Sequence, residues 1–378
     1  MEADFNLLMR RFHFHTCGNF KPSYEEELTV FETDFGRLWL IIGLILVFGF
    51  LPVAGNSHLL KIVNMVGIYS IAAIGLNILT GYTGMISLGH SAIFGLGAYA
   101  AAILATWMKA PFWIAVPAGG LLSAIVGVGF CLPAFRLMGF YLCFATLAGQ
   151  KIMEYLFIHW TGLTGGDEGI LIAETDFFGI DLKSDIIYYY IIFISLVLMA
   201  WLAVNLIRSK FGRAFIAIRD NQRDAEMMGM PVLKYQLLSF AVSSFYAGFA
   251  GALFAYYNLN ISPTPFNLSF SIMLIAMIII GGLGSIHGSI FGAIVVVILK
   301  EAMIYGDKLL ADPLKLYGIS ITVSSLYEVA VGLLIALFII FKPKGLADAW
   351  WNIRSVFRSW PLSKDIPYGC KRSFPPHQ

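Results

Sequence analysis

Residues 186–234 read IIYYYIIFISLVLMAWLAVNLI followed by RSKFGRAFIAIRDNQRDAEMMGMPVLK. The stretch 186–207 has no charged side chain, and at about 1.5 Å per residue a helix of that length reaches roughly 33 Å, enough to cross a hydrocarbon layer of ~30 Å. The stretch 208–234 is the most charged segment between apolar runs. The same alternation runs along the chain. Of 378 residues 58% are hydrophobic and 13% charged, and mean hydropathy is +0.78. Soluble domains carry about 25% charged residues, and a single water-soluble core does not absorb this much apolar surface. The composition excludes a disordered chain, a secreted disulfide scaffold and an ordinary cytosolic enzyme. The net charge of +2 selects no partner.

Working outward from 186–207, apolar runs fall at 38–53, 59–80, 91–108, 112–133, 137–158, 186–207, 235–258, 269–284, 286–304 and 319–341. These predict an all-α polytopic membrane protein of about ten transmembrane helices. Runs 91–108 and 286–304 are rich in Gly and Ala and are expected to pack on protein more than on lipid. With both termini cytoplasmic, most of the 25 Lys and Arg fall inside, six of them in 208–234. The outside connections then hold Lys61, Lys109, Lys183, Lys308 and Lys315. The positive-inside rule favours this orientation. The organisation expected is a cytoplasmic tail 1–37, a transmembrane domain 38–346 with an extracytoplasmic loop 159–185, and a cytoplasmic tail 347–378. No secretory signal peptide is expected, because the first apolar run begins near Leu38.

Within 208–234, Phe211, Phe215 and Ile218 recur on one helical face, and Arg213 and Arg219 lie off it. Asn221 suits the N-cap of a second short helix with Asp224 in its first turn. Gly229 and Pro231 supply stop signals. Two short surface helices follow, either an anchor to anionic lipid or a docking element for a cytoplasmic partner. The three nearby carboxylates favour docking.

A second feature is TGYTGMISLGHSAIFGLGAY, residues 80–99. Gly81 to Gly89 is too glycine-rich for a regular helix. Irregular backbone at membrane depth is tolerated where protein buries it or water wets it, so the segment is either a pore-lining break or a tight turn at the cytoplasmic face. Ser87, Ser91 and Gly95 form a small-xxx-small face for close helix approach. His90-Ser-Ala-Ile-Phe-Gly95 is echoed by His287-Gly-Ser-Ile-Phe-Gly292. Both histidines read first as helix-start residues with local hydrogen bonds and second as path residues. Lys151 and Glu154, spaced for pairing, with Lys300, Glu301 and Glu328, are the charges within or at the ends of spans. Structural pairing is the first reading and a proton relay the second. Cys17, Cys131, Cys143 and Cys370 form no C-x-x-C pair and are expected to be reduced. His13 and His15 read as part of a solvated tail, and no metal site is expected.

The sequence has no G-x-x-x-x-G-K-[ST], H-E-x-x-H or G-x-S-x-G, and no basic patch interleaved with aromatics. Several segments together resemble the permeases of branched-chain amino acid ABC importers, of the LivM-like branch. They are Gly81-Tyr82-Thr83-Gly84 with Ser87-Leu88-Gly89-His90; Gly139-Phe140-Tyr141 with Ala145-Thr146-Leu147; Thr164-Gly165-Gly166 with Gly169; Phe211-Gly212-Arg213-Ala214 with Ala217-Ile218-Arg219-Asp220-Asn221 and Ala225; Gly229; Gly281-Gly282-Leu283-Gly284-Ser285 with Gly288; and Pro343-Lys344-Gly345-Leu346. Where the family commonly has Gln, this chain has Met85.

The resemblance implies a subunit of a bacterial inner-membrane importer, without catalytic residues, for leucine, isoleucine and valine. It implies a second, related permease in a heterodimer, two cytoplasmic ABC ATPases that use the ATP, and an extracytoplasmic solute-binding protein. No cofactor or nucleic acid is implied for this chain. The resemblance places ATPase coupling in 208–234, at Arg213, Arg219, Asp220, Asn221, Glu226 and Gly229. The translocation path is expected near Gly81, Tyr82, Gly84, Ser87, Gly89 and His90. Urea, short amides or other amino acids are alternative cargoes, and an ion-coupled secondary transporter is the alternative class.

Overall fold

The computed structural model describes residues 57–131, 140–172, 185–316, 327–342 and 345–348. The chain divides into two compact units, Met1–Leu60 and Lys61–Gln378. Only 57–60 of the first are described, so the architecture below is that of the second. The run 38–53, Cys17, Cys370, His13 and His15 lie outside the described residues.

The elements follow as α1 (Ser57–Asn77), α2 (His90–Trp107), α3 (Phe112–Cys131), α4 (Phe140–His159), β1 (Ile170–Leu171), α5 (Asp185–Arg208), α6 (Lys210–Asp220), α7 (Gln222–Met227), α8 (Val232–Asn258), β2 (Asn260–Ile261), α9 (Leu268–Gly281), α10 (Ile286–Leu316) and α11 (Tyr327–Phe341). Apart from the two-residue strands and short turns, the described residues are helical.

Among the described residues six helices are long and apolar enough to cross a membrane: α1 with its extension to Tyr82, α2, α3, α5, α8 and α10. Helix α4 is 20 residues long, but Gln150, Lys151 and Glu154 interrupt its apolar run. Helix α9 has 14 residues, about 21 Å, short of a ~30 Å hydrocarbon layer. The described part of the 319–341 run begins at Tyr327, which places Glu328 in the first turn of α11.

Helix α8 is the axis of the bundle. Its Ala, Gly and Ser face is buried, including Ser239, Ser243, Ser244, Ala247, Gly248, Ala250, Gly251 and Ala255. A methyl at Gly97 of α2 would meet the carbonyl oxygen of Gly248, and one at Gly251 would meet the carbonyl of Phe94. Lipid tails are as apolar as the side chains, so helix association here rests on close packing. Tyr188 donates to the Tyr256 carbonyl at 2.6 Å and Tyr246 to that of Met199 at 2.9 Å, which pins α5 to α8 through buried hydroxyls. Phe94 packs on Phe254 and Phe270 with ring centroids 5.5 and 5.0 Å apart.

The expectation that Gly and Ala mark protein-packed helices holds for α2, whose spanning window is 61% buried. It fails for α10 as a whole, at 33%. In α10 the glycines occupy one side. Gly288 and Gly292 press on Gly281 and Met277 of α9, while Ile298 and Tyr305 point outward.

At one end of the bundle, β1 and β2 pair antiparallel, with Ile170 opposite Ile261 and Leu171 opposite Asn260. This ladder ties the connection after α4 to the connection after α8. At the other end lie the turn after α1, the segment α6–α7 and the connection between α9 and α10.

Replacing Gly97 by Val is expected to destabilise the protein by about 1–3 kcal/mol through overpacking. Gly129→Ala, at a helical site with open space around it, is expected to be neutral or stabilising by up to about 1 kcal/mol. Thermal unfolding of the two variants in detergent distinguishes them.

Candidate functional site

Helix α1 ends in a π-helical turn, Ile78–Tyr82, a widened turn often found at functional positions. The chain then turns through Gly84 at φ +77°, a conformation that favours glycine. The irregular backbone is satisfied locally. Met85 donates its N–H to the Leu79 carbonyl at 3.1 Å. Thr80 and Thr83 hydroxyls donate to the carbonyls of Met85 and Ile78 at 3.1 and 3.2 Å. The Leu88 N–H donates to Thr146 Oγ1 on α4 at 3.1 Å.

His90 starts α2 with no exposed surface. The Ser243 hydroxyl donates to the Gly75 carbonyl at 2.6 Å, so its oxygen accepts from His90 Nε2 at 2.8 Å. Nδ1 lies 3.3 Å from Ser87 Oγ. Both ring nitrogens are engaged. His90 thus makes one local contact, with Ser87, and one long-range contact, with Ser243 of α8, which in turn bonds the Gly75 carbonyl of α1.

The second break, between α9 and α10, passes through Gly282 at φ +121° and Gly284 at φ +76°. Asn77, at the end of α1 and 1% exposed, holds it. Its Nδ2 donates to the Ser285 carbonyl at 2.8 Å and to Ser289 Oγ at 2.7 Å. Its Oδ1 accepts from the Gly284 N–H at 2.9 Å. Gly81 lies against Gly284 so closely that a methyl there would strike Asn77 Oδ1 and the Gly284 nitrogen.

The charged segment forms the two short helices expected of it. Ser209 caps α6 by accepting from the Phe211 N–H. Phe215 and Ile218 are buried, and Phe211 is half-buried against Tyr235. Asn221 caps α7, its Oδ1 accepting from the N–H groups of Arg223 and Asp224 at 3.1 and 3.4 Å. The Met230 N–H returns to the Ala225 carbonyl at 3.1 Å across Gly229, whose φ is +79°, a glycine-terminated helix end. Ile218, Ala225 and Val232 form a small core beneath.

Arg219 turns inward. Its Nη1 donates to the Gly81 carbonyl at 3.0 Å, while Nε and Nη2 hold Asp220 Oδ1 at 3.1 and 3.0 Å. Gly84 also lies against its side chain. Thus Asn77, Gly81, Gly284 and Arg219 converge on one junction, where the charged segment touches both glycine-rich breaks. Of the residues assigned to coupling, Arg219 and Asp220 belong to this junction and Asn221 and Gly229 shape the helix ends. Arg213 and Glu226 are exposed. Met227 and Met228 are each 85% exposed, beyond any apolar need of the fold, and no periodicity singles them out.

Of the residues assigned to the path, Gly81, Tyr82 and Gly84 sit at the junction. Ser87 and Gly89 line a cleft between α2, α3, α4 and α8 with an empty volume of about 470 Å³, part of it open to the outside. Gln150 lines it too, its Oε1 accepting from Ser271 at 3.0 Å. Its Nε2 and the nearby Ser123 hydroxyl are buried without a hydrogen-bond partner among the described residues. Lys151 and Glu154 pair at 2.8 Å, as their spacing predicts. Cys143 is a free, buried thiol.

The bundle and its membrane-length helices define a multi-pass membrane protein. The family model described as branched-chain amino acid transport system / permease component matches residues 58–340. The chain belongs to that family. It is 31% identical to the high-affinity branched-chain amino acid transport system permease protein LivM of Escherichia coli (strain K12), over 71% of this chain and 68% of that protein. It is 24% identical to the probable branched-chain amino acid transport permease protein LivM of Methanocaldococcus jannaschii, over 62% of this chain and 67% of the relative. A solved structure, PsaBC from Streptococcus pneumoniae in complex with Fab, aligns at 12% identity and TM-score 0.40, over 81% of this chain and 98% of its own.

Asn77→Leu leaves the Gly284 N–H and the Ser285 carbonyl without this partner, and loss of such buried bonds is expected to cost about 2–4 kcal/mol. Thermal unfolding in detergent measures it. Asn77→Asp, which keeps the acceptor and loses the donor, is expected to recover little.

Proposed function

We infer that the chain is a permease subunit of an ATP-driven importer of leucine, isoleucine and valine in the bacterial inner membrane. Its partners in this reading are a second, related permease, two cytoplasmic ABC ATPases and an extracytoplasmic solute-binding protein. The chain binds no cofactor, and the ATP is used by the ATPases. The reading takes ten spans, with 38–53, 137–158 and 319–341 among them, and both termini inside.

The observation that carries it is the Arg219 bond to Gly81, considered together with the family. Movement of a docked ATPase displaces α6–α7. Arg219 passes the displacement to the Gly81–Gly84 turn, and Asn77 passes it on to the α9–α10 break. Both breaks start helices that run to the opposite face, so one push reorients two helices together. Selectivity rests mainly with the delivery protein, and the permease supplies the path. The exposed surface available for docking includes Arg213, Arg223, Glu226, Met227 and Met228. Methionine pairs at such a surface give large, adaptable apolar contact.

The test is ATP-dependent uptake into proteoliposomes holding the complete assembly. Leucine uptake that needs ATP and the binding protein is expected; uptake of urea or acetamide in its place would reject the cargo. Met227→Asp with Met228→Asp is expected to weaken ATPase association at least tenfold without lowering the permease's own unfolding temperature. Glu168→Cys, on the connection after α4, is expected to react with an impermeant thiol reagent from outside, and Arg223→Cys only from inside. The reverse pattern would invert the orientation.

A further inference from the structure

The cleft between α2, α3, α4 and α8 has a mostly apolar wall, with Ile93, Leu96, Val126, Met153 and Phe240 in it. Among the described residues no Asp, Glu, Lys or Arg lines it. Its polar side chains are Ser87, Ser123, Thr146 and Gln150. Two of these are engaged by the fold. Thr146 Oγ1 accepts from the Leu88 N–H at 3.1 Å and donates to the Cys143 carbonyl at 2.8 Å. Ser87 Oγ accepts from the Gly89 N–H at 3.4 Å and lies 3.3 Å from His90 Nδ1.

Gln150, 1% exposed, is held from one side only. The Ser91 N–H, in the first turn of α2, donates to Ser271 Oγ at 3.0 Å, and Ser271 Oγ donates to Gln150 Oε1 at 3.0 Å. Hydrogen bonds in such a chain polarise one another, which makes the amide nitrogen a stronger donor. Nε2 nevertheless has no acceptor among the described residues, and neither does the buried Ser123 hydroxyl have a partner. A buried donor left unpaired is unfavourable. Here a partly open cleft of about 470 Å³ lies beside it, within the size range of small-molecule sites that pair apolar walls with a few polar groups. Gly89 and Ala92 bring the start of α2 to the same wall. No side chain caps this 18-residue helix at Gly89, and the positive end of a helix dipole favours an anion.

We propose that this cleft is an inner subsite for the carboxylate of an aliphatic amino acid in transit. Gln150 Nε2 donates to the carboxylate beside the start of α2, and the Ser123 hydroxyl offers a second polar contact. The aliphatic side chain lies against Ile93, Leu96, Val126 and Met153. The ammonium stays hydrated at the open side, because no acidic side chain lines the cleft to receive it. Gly89 at the start of α2 and Phe240 in the first half of α8 place the cleft toward the charged segment. The cargo therefore occupies it after release by the delivery protein and before exit to the cytoplasm. The proposal rests on the amino-acid cargo inferred above.

The experiment uses the complete importer in proteoliposomes with L-leucine as probe. Gln150→Met keeps the length of the side chain and removes the donor. The expected result is assembly and binding-protein-stimulated ATP hydrolysis within twofold of the parent, with leucine uptake lowered at least tenfold. Parental uptake by this variant overturns the subsite and leaves the importer reading intact. A parent that transports no α-amino acid instead overturns the importer reading and the subsite with it. Should the variant fail to assemble, Val126→Cys decides, with Gln150 unchanged. Its labelling by a water-soluble thiol reagent is read against the parent's own four cysteines. L-leucine and isocaproate, which share the carboxylate and the aliphatic chain, are each expected to slow it at least threefold. Isoamylamine, which has the chain and the ammonium without the carboxylate, is expected to leave it unchanged. Equal protection by isoamylamine, or no protection by leucine, overturns the proposal. So does labelling that occurs in detergent and is lost in lipid, because acyl chains then fill the cleft.

Discussion

The architecture depends on one buried amide. A helix that stops within a membrane-embedded bundle leaves backbone N–H and C=O groups that lipid does not satisfy. Here two helices restart side by side at the bundle end that carries the charged segment, after the Gly81–Gly89 segment and after the Gly281–Ser285 segment. Asn77 has the donors and the acceptor needed to hold a peptide from both sides, and it engages the Gly284 N–H and the Ser285 carbonyl together. Gly81 then lies against Gly284 because neither position has a side chain. The two irregular segments form one polar junction, and Arg219 reaches it from the charged loop.

Much of this was legible in the sequence where the signal is local. The run 112–133 appears as Phe112–Cys131, 186–207 as Asp185–Arg208 and 235–258 as Val232–Asn258. The Asn221 cap and the Gly229 stop follow from side-chain chemistry within one turn. The apolar stripe of Phe211, Phe215 and Ile218 likewise marks the first of the two short helices in 208–234. The run 286–304 gave less: its helix continues to Leu316, and its glycines face one neighbour only.

What was not legible is long-range. Asn77 and Ser285 are 208 residues apart in sequence, and neither has a periodicity that points at the other. Arg219 reads as a surface cation off an apolar stripe, yet its guanidinium bridges 138 residues to Gly81. The tyrosine hydroxyls of α5 and α8 are hidden inside ordinary apolar runs. Met227 and Met228 look like interior residues by type and are among the most exposed. In each case the identity of the partner is set by packing between helices, which no single segment encodes.

The two-residue ladder between β1 and β2 bears on how the bundle can move. It joins the connection after α4 to the connection after α8 by backbone bonds, while the other end of the bundle carries the junction and the charged loop. A pair of rods fixed together at one end separates most at the other. The ladder restrains that end of the pair. Over the 27 residues of α8, a small rotation about that end becomes its largest displacement beside α6 and α7.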